Sequence, residues 1–345
     1  MVARLALLAA ALFATAEASA PPAVLAPFVT GDRFDPGDYR WMRGRFADAA
    51  PADKAAWATV QAWLTACAAK RRANVVAELR TLGIARPVLD ATPLSEPLCA
   101  EVAFAVPSVP AGSFAAFEAD LRAARPIVAT FLFAVGTAGD ASAAEAGSTL
   151  AEMLMLRPVT EQMLRYAMSW GDGEQKGAPL LPPGQRAIVL AAVAVATEHV
   201  DHANTEWLKA EVSAHGWPSV SRIGRPASAQ AWLLVQHADA DPAFQLRALR
   251  LMAPLEAAHD LPPGNYAYLY DRVMLKLVGT QRYGTQMTCR GGARVPMPLE
   301  DSRVATWRKA AGMEPLANYL ADMDRSFGPC PPEPVGARQP ARGGA

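Results

Sequence analysis

Hydrophobic positions along the chain repeat at helical spacing almost everywhere. From Ala52 to Ala69, Trp57, Val60, Trp63, Leu64 and Cys67 fall on one face, and Pro51 suits the first turn of that helix. A second run through Val75, Val76, Leu79 and Leu82 ends at Gly83, a residue suited to a helix C-terminus. Further amphipathic runs span 113–125 (Phe114, Phe117, Leu121), 127–135, 143–156 and 159–170. The stretch GDGEQKGAPLLPPGQ (171–185) interrupts this pattern with Gly, Pro and polar residues and marks an internal boundary or a long loop. Beyond it a helix is predicted over 186–215, then a loop in HGWPSVSRIGRPAS, then a helix from about Ala229 that carries Trp232, Leu233 and Val235 into Gln236-His237-Ala238-Asp239. Asp241-Pro242 starts the next helix, which places Phe244, Ala248, Leu251, Met252 and Leu255 on one face.

Period-two alternation is convincing in one place, QRYGTQMTCRGGARVPMPL (281–299). Tyr283, Thr285 and Met287 alternate with Gly284, Gln286 and Thr288, Arg290-Gly291-Gly292 makes a turn, and 294–299 returns as the partner strand. Alanine abundance favours helix elsewhere, because alanine loses no rotamer entropy there and is a poor strand residue. The fold class expected is mainly α, a helical bundle with one small β-hairpin near 281–299. The expected organisation is a signal peptide (1–20), an N-terminal helical region (21–185), a second unit with the hairpin (186–328), and a Pro/Gly-rich disordered tail (329–345).

Composition narrows the function classes. The 345 residues are 52% hydrophobic and 19% charged, enough apolar material for one large core or two modest ones. Thirty-three basic residues balance 33 acidic ones, so there is no net field to attract a polyanion, and no nucleic-acid partner is expected. The N-terminus combines a basic start (MVAR), an apolar run (LALLAAALFA) and Ala18-Ser19-Ala20, the small-residue pattern that a signal peptidase cuts. The apolar stretch 188–197 is far short of the ~20 residues a membrane helix needs, so no membrane span is expected and the chain is read as soluble and periplasmic or secreted.

That compartment bears on the four cysteines, Cys67, Cys99, Cys289 and Cys330, which show neither a C-x-x-C pair nor zinc-like spacing. Three connectivities are possible. The shortest loops come from Cys67 with Cys99 and Cys289 with Cys330, while Cys67 and Cys99 could equally be small buried hydrophobes on helices.

From residue 186 onward a series of short motifs appears in order. It includes Asp201-x-x-Asn204, Gly216-Trp217-Pro218, Arg222-Ile223-Gly224 and Gln236-His237-x-Asp239. It continues with Tyr268-Leu269-x-Asp271-Arg272, Gln281-x-Tyr283-Gly284-Thr285-Gln286, Pro298-Leu299-Glu300-Asp301, Trp307-Arg308, Pro315-Leu316 and Tyr319. This succession resembles a bacterial family, domain of unknown function 6624, over roughly 186–319. The resemblance implies no activity, substrate or cofactor.

The chemistry must therefore be read from the residues. All five histidines (His199, His202, His215, His237, His259) lie in the C-terminal half. His199 and His202 share a helix face, but no H-E-x-x-H or similar motif accompanies them, and neither a metal nor another cofactor is assigned. Gln236 and His237 follow an apolar run. They either end a helix, with Asp239 or Asp241 capping the next, or are partly buried and need polar partners, at a cost of about 1–3 kcal/mol each without them. Asp271, Arg272, Tyr283 and Gln286 are the expected supply. Two functions follow from different classes. One is a non-catalytic envelope module that binds a small polar ligand or a protein through Gln236, Tyr283, Gln286 and Trp217. The other is a secreted hydrolase with His237 as acid/base, Asp239 or Asp271 orienting it, and Arg272 stabilising negative charge. No G-x-S-x-G, Gly-rich phosphate loop or activated cysteine supplies a nucleophile, which tilts the reading to the binding module.

Overall fold

The structure, a computed structural model, describes residues 20–89, 92, 94–168, 170 and 178–330. The expected signal peptide up to Ser19, residues 171–177 of the boundary segment 171–185 and the tail from 331 lie outside the described residues.

The chain is mainly helical. After two short 3-10 helices (Ala23–Phe28 and Arg40–Arg45) and a two-residue antiparallel ribbon, β1 (Val29–Thr30) with β2 (Arg33–Phe34), helix α1 runs Pro51–Thr81. It is followed by α2 (Pro97–Phe104), α3 (Phe114–Glu145), α4 (Leu150–Leu156) and α5 (Val159–Ala167). Helices α6 (Pro183–His215), α7 (Val220–Ile223), α8 (Arg225–His237), α9 (Pro242–Ala257) and α10 (Asn265–Val278) lead to a hairpin of β3 (Met287–Arg290) and β4 (Ala293–Pro296). Two helices, α11 (Val304–Ala310) and α12 (Leu316–Phe327), close the described chain.

Several boundaries differ from the sequence expectation, each for a physical reason. The two expected helices between Ala52 and Gly83 are one helix of 31 residues, because nothing between them breaks the backbone pattern. The expected stop at Pro126 does not occur, and α3 runs 32 residues through it. Pro126 is exposed, so the carbonyl it leaves unbonded faces solvent. The run expected over 143–156 is split. Alpha-3 ends at Glu145, and Thr149 restarts the chain with a capping box, its hydroxyl accepting from the Glu152 amide while the Glu152 carboxylate accepts from the Thr149 amide. Merging the segments around Pro126 changes one further reading. Alpha-3 is long and apolar enough by length and composition to cross a membrane, and its most apolar 18-residue window is only 6% buried. Among the described residues it alone passes that test.

The hairpin forms where expected but is shorter. Gly291 and Gly292 make the turn in left-handed conformation, and the strands pair from Met287 with Pro296 to Arg290 with Ala293. Residues 281–286, expected to be strand, instead form a loop, and Gly284 (φ +69°) sets its bend. The β1–β2 ribbon was not anticipated, its strands being too short to show alternation.

Two hydrophobic cores share the long helices. One gathers Trp41, Phe46, Phe114 and Phe117 with the first halves of α1 and α6 (Trp57, Val60, Ile188, Val193). The other gathers Leu234, Phe244, Met252, Leu269 and Val273 with the second halves of the same helices (Val75, Leu79, Leu208, Val212). Leu89, Leu94 and Leu154 also belong to this second core, so it draws on residues from both sides of 185. On α9, Phe244, Ala248 and Met252 are buried as expected, whereas Leu251 is exposed.

Disulfides join Cys67 with Cys99 and Cys289 with Cys330, the pairing of shortest loops. The first ties α1 to α2; the second ties β3 to the residue just beyond α12.

Leu208 is fully buried at the point where α6 enters the second core. Leu208→Ala is expected to lower unfolding free energy by about 2–5 kcal/mol, read from denaturant midpoints.

Candidate functional site

The C-terminal end of α8 carries His237 to the wall of a cavity of about 270 Å³ between α6, α1 and the 238–241 loop. Its lining includes Arg71 of α1, Glu198, Asp201, His202 and Lys209 of α6, and Asp239. The imidazole is largely enclosed, its side chain 12% exposed. Its Nδ1 lies in short contact with the Oε1 of Glu161, which is wholly buried on α5. Nε2 has no hydrogen-bond partner among the described residues, which leaves it as the ring nitrogen for a ligand or for proton transfer.

Glu161 is the organising group. Oε1 also receives the Gln162 side-chain amide at 3.1 Å and Arg165 Nε at 3.4 Å, and Oε2 receives the Asn204 amide at 3.2 Å. Burial by itself would raise its pKa, but the contacts with His237 and the nearby Arg165 charge outweigh it and hold the group below the usual carboxylate range. Arg165 in turn binds Asp201 at 2.6 Å. Asp201 behaves oppositely. Burial pushes it up to about 7, with the neighbouring Glu161 and Glu198 adding to the rise and Arg165 opposing it. Glu198 is raised as well, by burial first and then by Glu101 and Asp239. The cavity therefore holds an imidazole on an ionised carboxylate beside two carboxyls biased toward their neutral forms.

The 238–241 loop is gripped from four helices. Asp239 accepts from Arg272 through both Nε and Nη2 and from Lys276, and these two cations together outweigh burial and hold it well below the ordinary carboxylate range. The fully buried Gln245 donates to the carbonyls of Val235 (3.0 Å) and Gln236 (3.1 Å), satisfying the free end of α8. Its own oxygen accepts from Lys276 at 3.0 Å. Arg71 donates to the Ala240 carbonyl at 2.9 Å, and Lys209 bridges Asp241 and Glu206, each at 2.9 Å. Asp241, rather than Asp239, caps the next helix, receiving the Phe244 amide at 2.9 Å.

Of the residues singled out from sequence, His237 and Asp239 line this cavity, Arg272 reaches it through Asp239, and Gln236 adjoins it at the end of α8. The other four lie elsewhere. Asp271 is fully buried under the 281–286 loop and accepts the amides of Arg282 (2.8 Å), Tyr283 (2.9 Å) and Thr285 (2.8 Å). Three amides converge there because Gly284 turns the loop back, and Gly284 itself abuts Leu316 and Leu299. Burial raises the Asp271 pKa against the pull of those amides. Tyr283 packs edge-on against Tyr270, with its carbonyl accepting from Arg308. Gln286 is bound through its backbone to the side chain of Gln281. Trp217 is a core residue, 4% exposed.

Sequence reasoning missed Glu161, Asp201, Gln245 and Lys276 as members of the site. A usable signal existed for Glu161: it lies three and six residues before the apolar Leu164 and Ala167, hence on the buried face of α5, where a carboxylate must find partners. No comparable local signal marks Lys276. Its role depends on the packing of α10 against α8 and α9.

This geometry lies within the segment that comparison picks out, apart from α5 and Arg71. Residues 188–329 match the family model described as Family of unknown function (DUF6624). The match covers His237, Asp239, Asp201, Asn204, Arg272 and Lys276, and leaves Glu161 outside. No curated protein and no solved structure matches the chain. Among the described residues, no group of three or more His, Cys, Asp or Glu side chains is arranged to hold a metal ion.

Asp271→Ala strips three buried amides of their acceptor and is expected to cost about 3 kcal/mol or more in a denaturant melt. A loss under about 1 kcal/mol would show that the loop does not depend on that carboxylate. Asp201, raised in the folded state, favours folding while protonated. Its contribution is complete below the unfolded carboxylate pKa and is lost as pH rises through about 7. Melting temperatures of Asp201→Asn and wild type should therefore diverge in the variant's favour as pH rises from the ordinary carboxylate value of 3.8 to about 7. Parallel profiles would contradict the shift.

Proposed function

We propose that the protein is an exported binding module whose polar cavity at the end of α8 takes a small polar ligand or a polar fragment of the cell envelope. The observation that carries this reading is His237, enclosed in the cavity wall with Nδ1 fixed by a buried carboxylate. A core histidine merely satisfied by its neighbours would not need one nitrogen left over beside an open space. Asp239, Asp241 and their basic partners fix the loop that forms one side of the cavity, and this favours recognition by a preformed site. The acidic wall formed by Glu198, Glu206 and Asp201 favours ligands with hydrogen-bond donors, amines and hydroxyls among them. Export is supported by the N-terminal segment and by the two disulfides, bonds that persist in oxidising compartments.

A second reading, a secreted hydrolase, is favoured by the same contact. A carboxylate on Nδ1 fixes the tautomer and leaves Nε2 as the nitrogen that faces the cavity, the arrangement that lets a histidine take a proton from water. Ser95 and Thr205 bring hydroxyls to the lining, but among the described residues neither is hydrogen-bonded to His237, so in this reading a bound water is the attacking group.

Thermal unfolding of the mature chain with cell-wall fragments and small amines tests both readings. A ligand at one hundred times its Kd stabilises by about 2.7 kcal/mol, and that shift should vanish in His237→Ala while the unliganded variant still melts cooperatively. A full ligand shift in His237→Ala would refute the site. Release of new reducing or amino ends from the fragments, lost in the same variant, would favour the hydrolase over the module.

A further inference from the structure

Helix α6 carries two cavities on opposite sides. At about 100° per residue, Glu198, Asp201, His202 and Thr205 point one way, toward the His237 cavity, while His199, Val200, Ala203 and Asn204 point the other way. The second group walls a cavity of about 400 Å³ closed by the end of α3, by α4 and by the start of α5.

Its character is different. Arg157 and His199 are the two titratable side chains in the lining, and no carboxylate is among them. The Arg157 guanidinium lies over the Trp207 ring at 4.3 Å and makes one long bond, 3.4 Å, from Nη2 to the Ala203 carbonyl. Its Nε is buried with no partner, and no acidic side chain pairs with it among the described residues. Burial lowers its pKa. A guanidinium presents five N–H donors in a fixed planar fork that matches a carboxylate, and a half-buried one whose Nε is left without an acceptor is costly. The remaining walls are mostly apolar, with Met153, Leu156 and Val200 on one side and the hydroxyls of Ser142 and Thr160 beside them.

We propose that this second cavity binds a small organic acid, its carboxylate held by Arg157 and its short apolar body lying against Met153, Leu156 and Val200. The apolar walls separate this from a bare inorganic anion, which would gain nothing from them. Stacking on Trp207 holds the fork in place before the ligand arrives, which lowers the ordering cost of binding. The site is independent of the His237 cavity, although the two are one residue apart through Asn204, which lines the second cavity and donates to Glu161.

Calorimetric titration of the intact mature protein with hexanoate, hexylamine and inorganic phosphate tests the assignment. Hexanoate should bind with a Kd of about 1 mM or tighter, and Arg157→Gln should weaken it by at least about tenfold. Should Arg157→Gln fail to fold, the wild type decides alone: hexanoate should alter tryptophan emission in wild type and not in Trp207→Phe. Equal binding of hexylamine or of phosphate, or no hexanoate binding at that concentration, would overturn the proposal.

Discussion

A carboxylate with no access to water, set between three helices, is the constraint around which this protein is built. Glu161 can remain charged there because Arg165 from its own helix, Asn204 from α6 and His237 from α8 surround it. Taking such a charge out of water costs several kcal/mol, and its partners offset that only while all three helices keep their positions. The ion cluster therefore specifies how α5, α6 and α8 meet more than it adds to stability. The same arrangement commits one nitrogen of His237 and leaves the other facing outward from the cluster.

The loop that follows His237 is held in the same manner, by charges and amides that reach in from outside it. Arg71, Lys209, Arg272, Lys276 and Gln245 come from four helices and converge on Asp239, Ala240 and Asp241. Polar networks of this kind rigidify when fully satisfied. The loop thus forms a stiff rim, and the cavity beside it keeps its shape without a ligand.

Much of the fold was legible because helices declare themselves by apolar spacing. The start of α9 followed from Asp241-Pro242 and the hairpin turn from Gly291-Gly292, whereas the cysteines left three pairings and free thiols open, of which the shortest-loop pairing is the one formed. Boundaries failed where local signals were overridden. Pro126 sits in a continuing helix because its lost hydrogen bond falls on the solvent side, and residues 281–286 abandon the strand because Asp271 offers their amides a better acceptor. The candidate site was half legible. His237, Asp239 and Arg272 are brought together, whereas Asp271, Tyr283, Gln286 and Trp217 were grouped with them only by being polar or aromatic and nearby in sequence. Glu161 lies 76 positions from its histidine, and no periodicity reports a contact of that kind.

Helices α1 and α6 each contribute one half to one core and the other half to the second. A rod embedded at both ends ties the two cores together, so a displacement of α1 or α6 in one is felt in the other. The segment that carries the family likeness, 188–329, therefore takes part of its core from residues ahead of it. Severed near residue 185, it would lose the inward faces of Val75, Leu79, Leu89 and Leu154, and proteins that share only that stretch must cover the same surface with some other material.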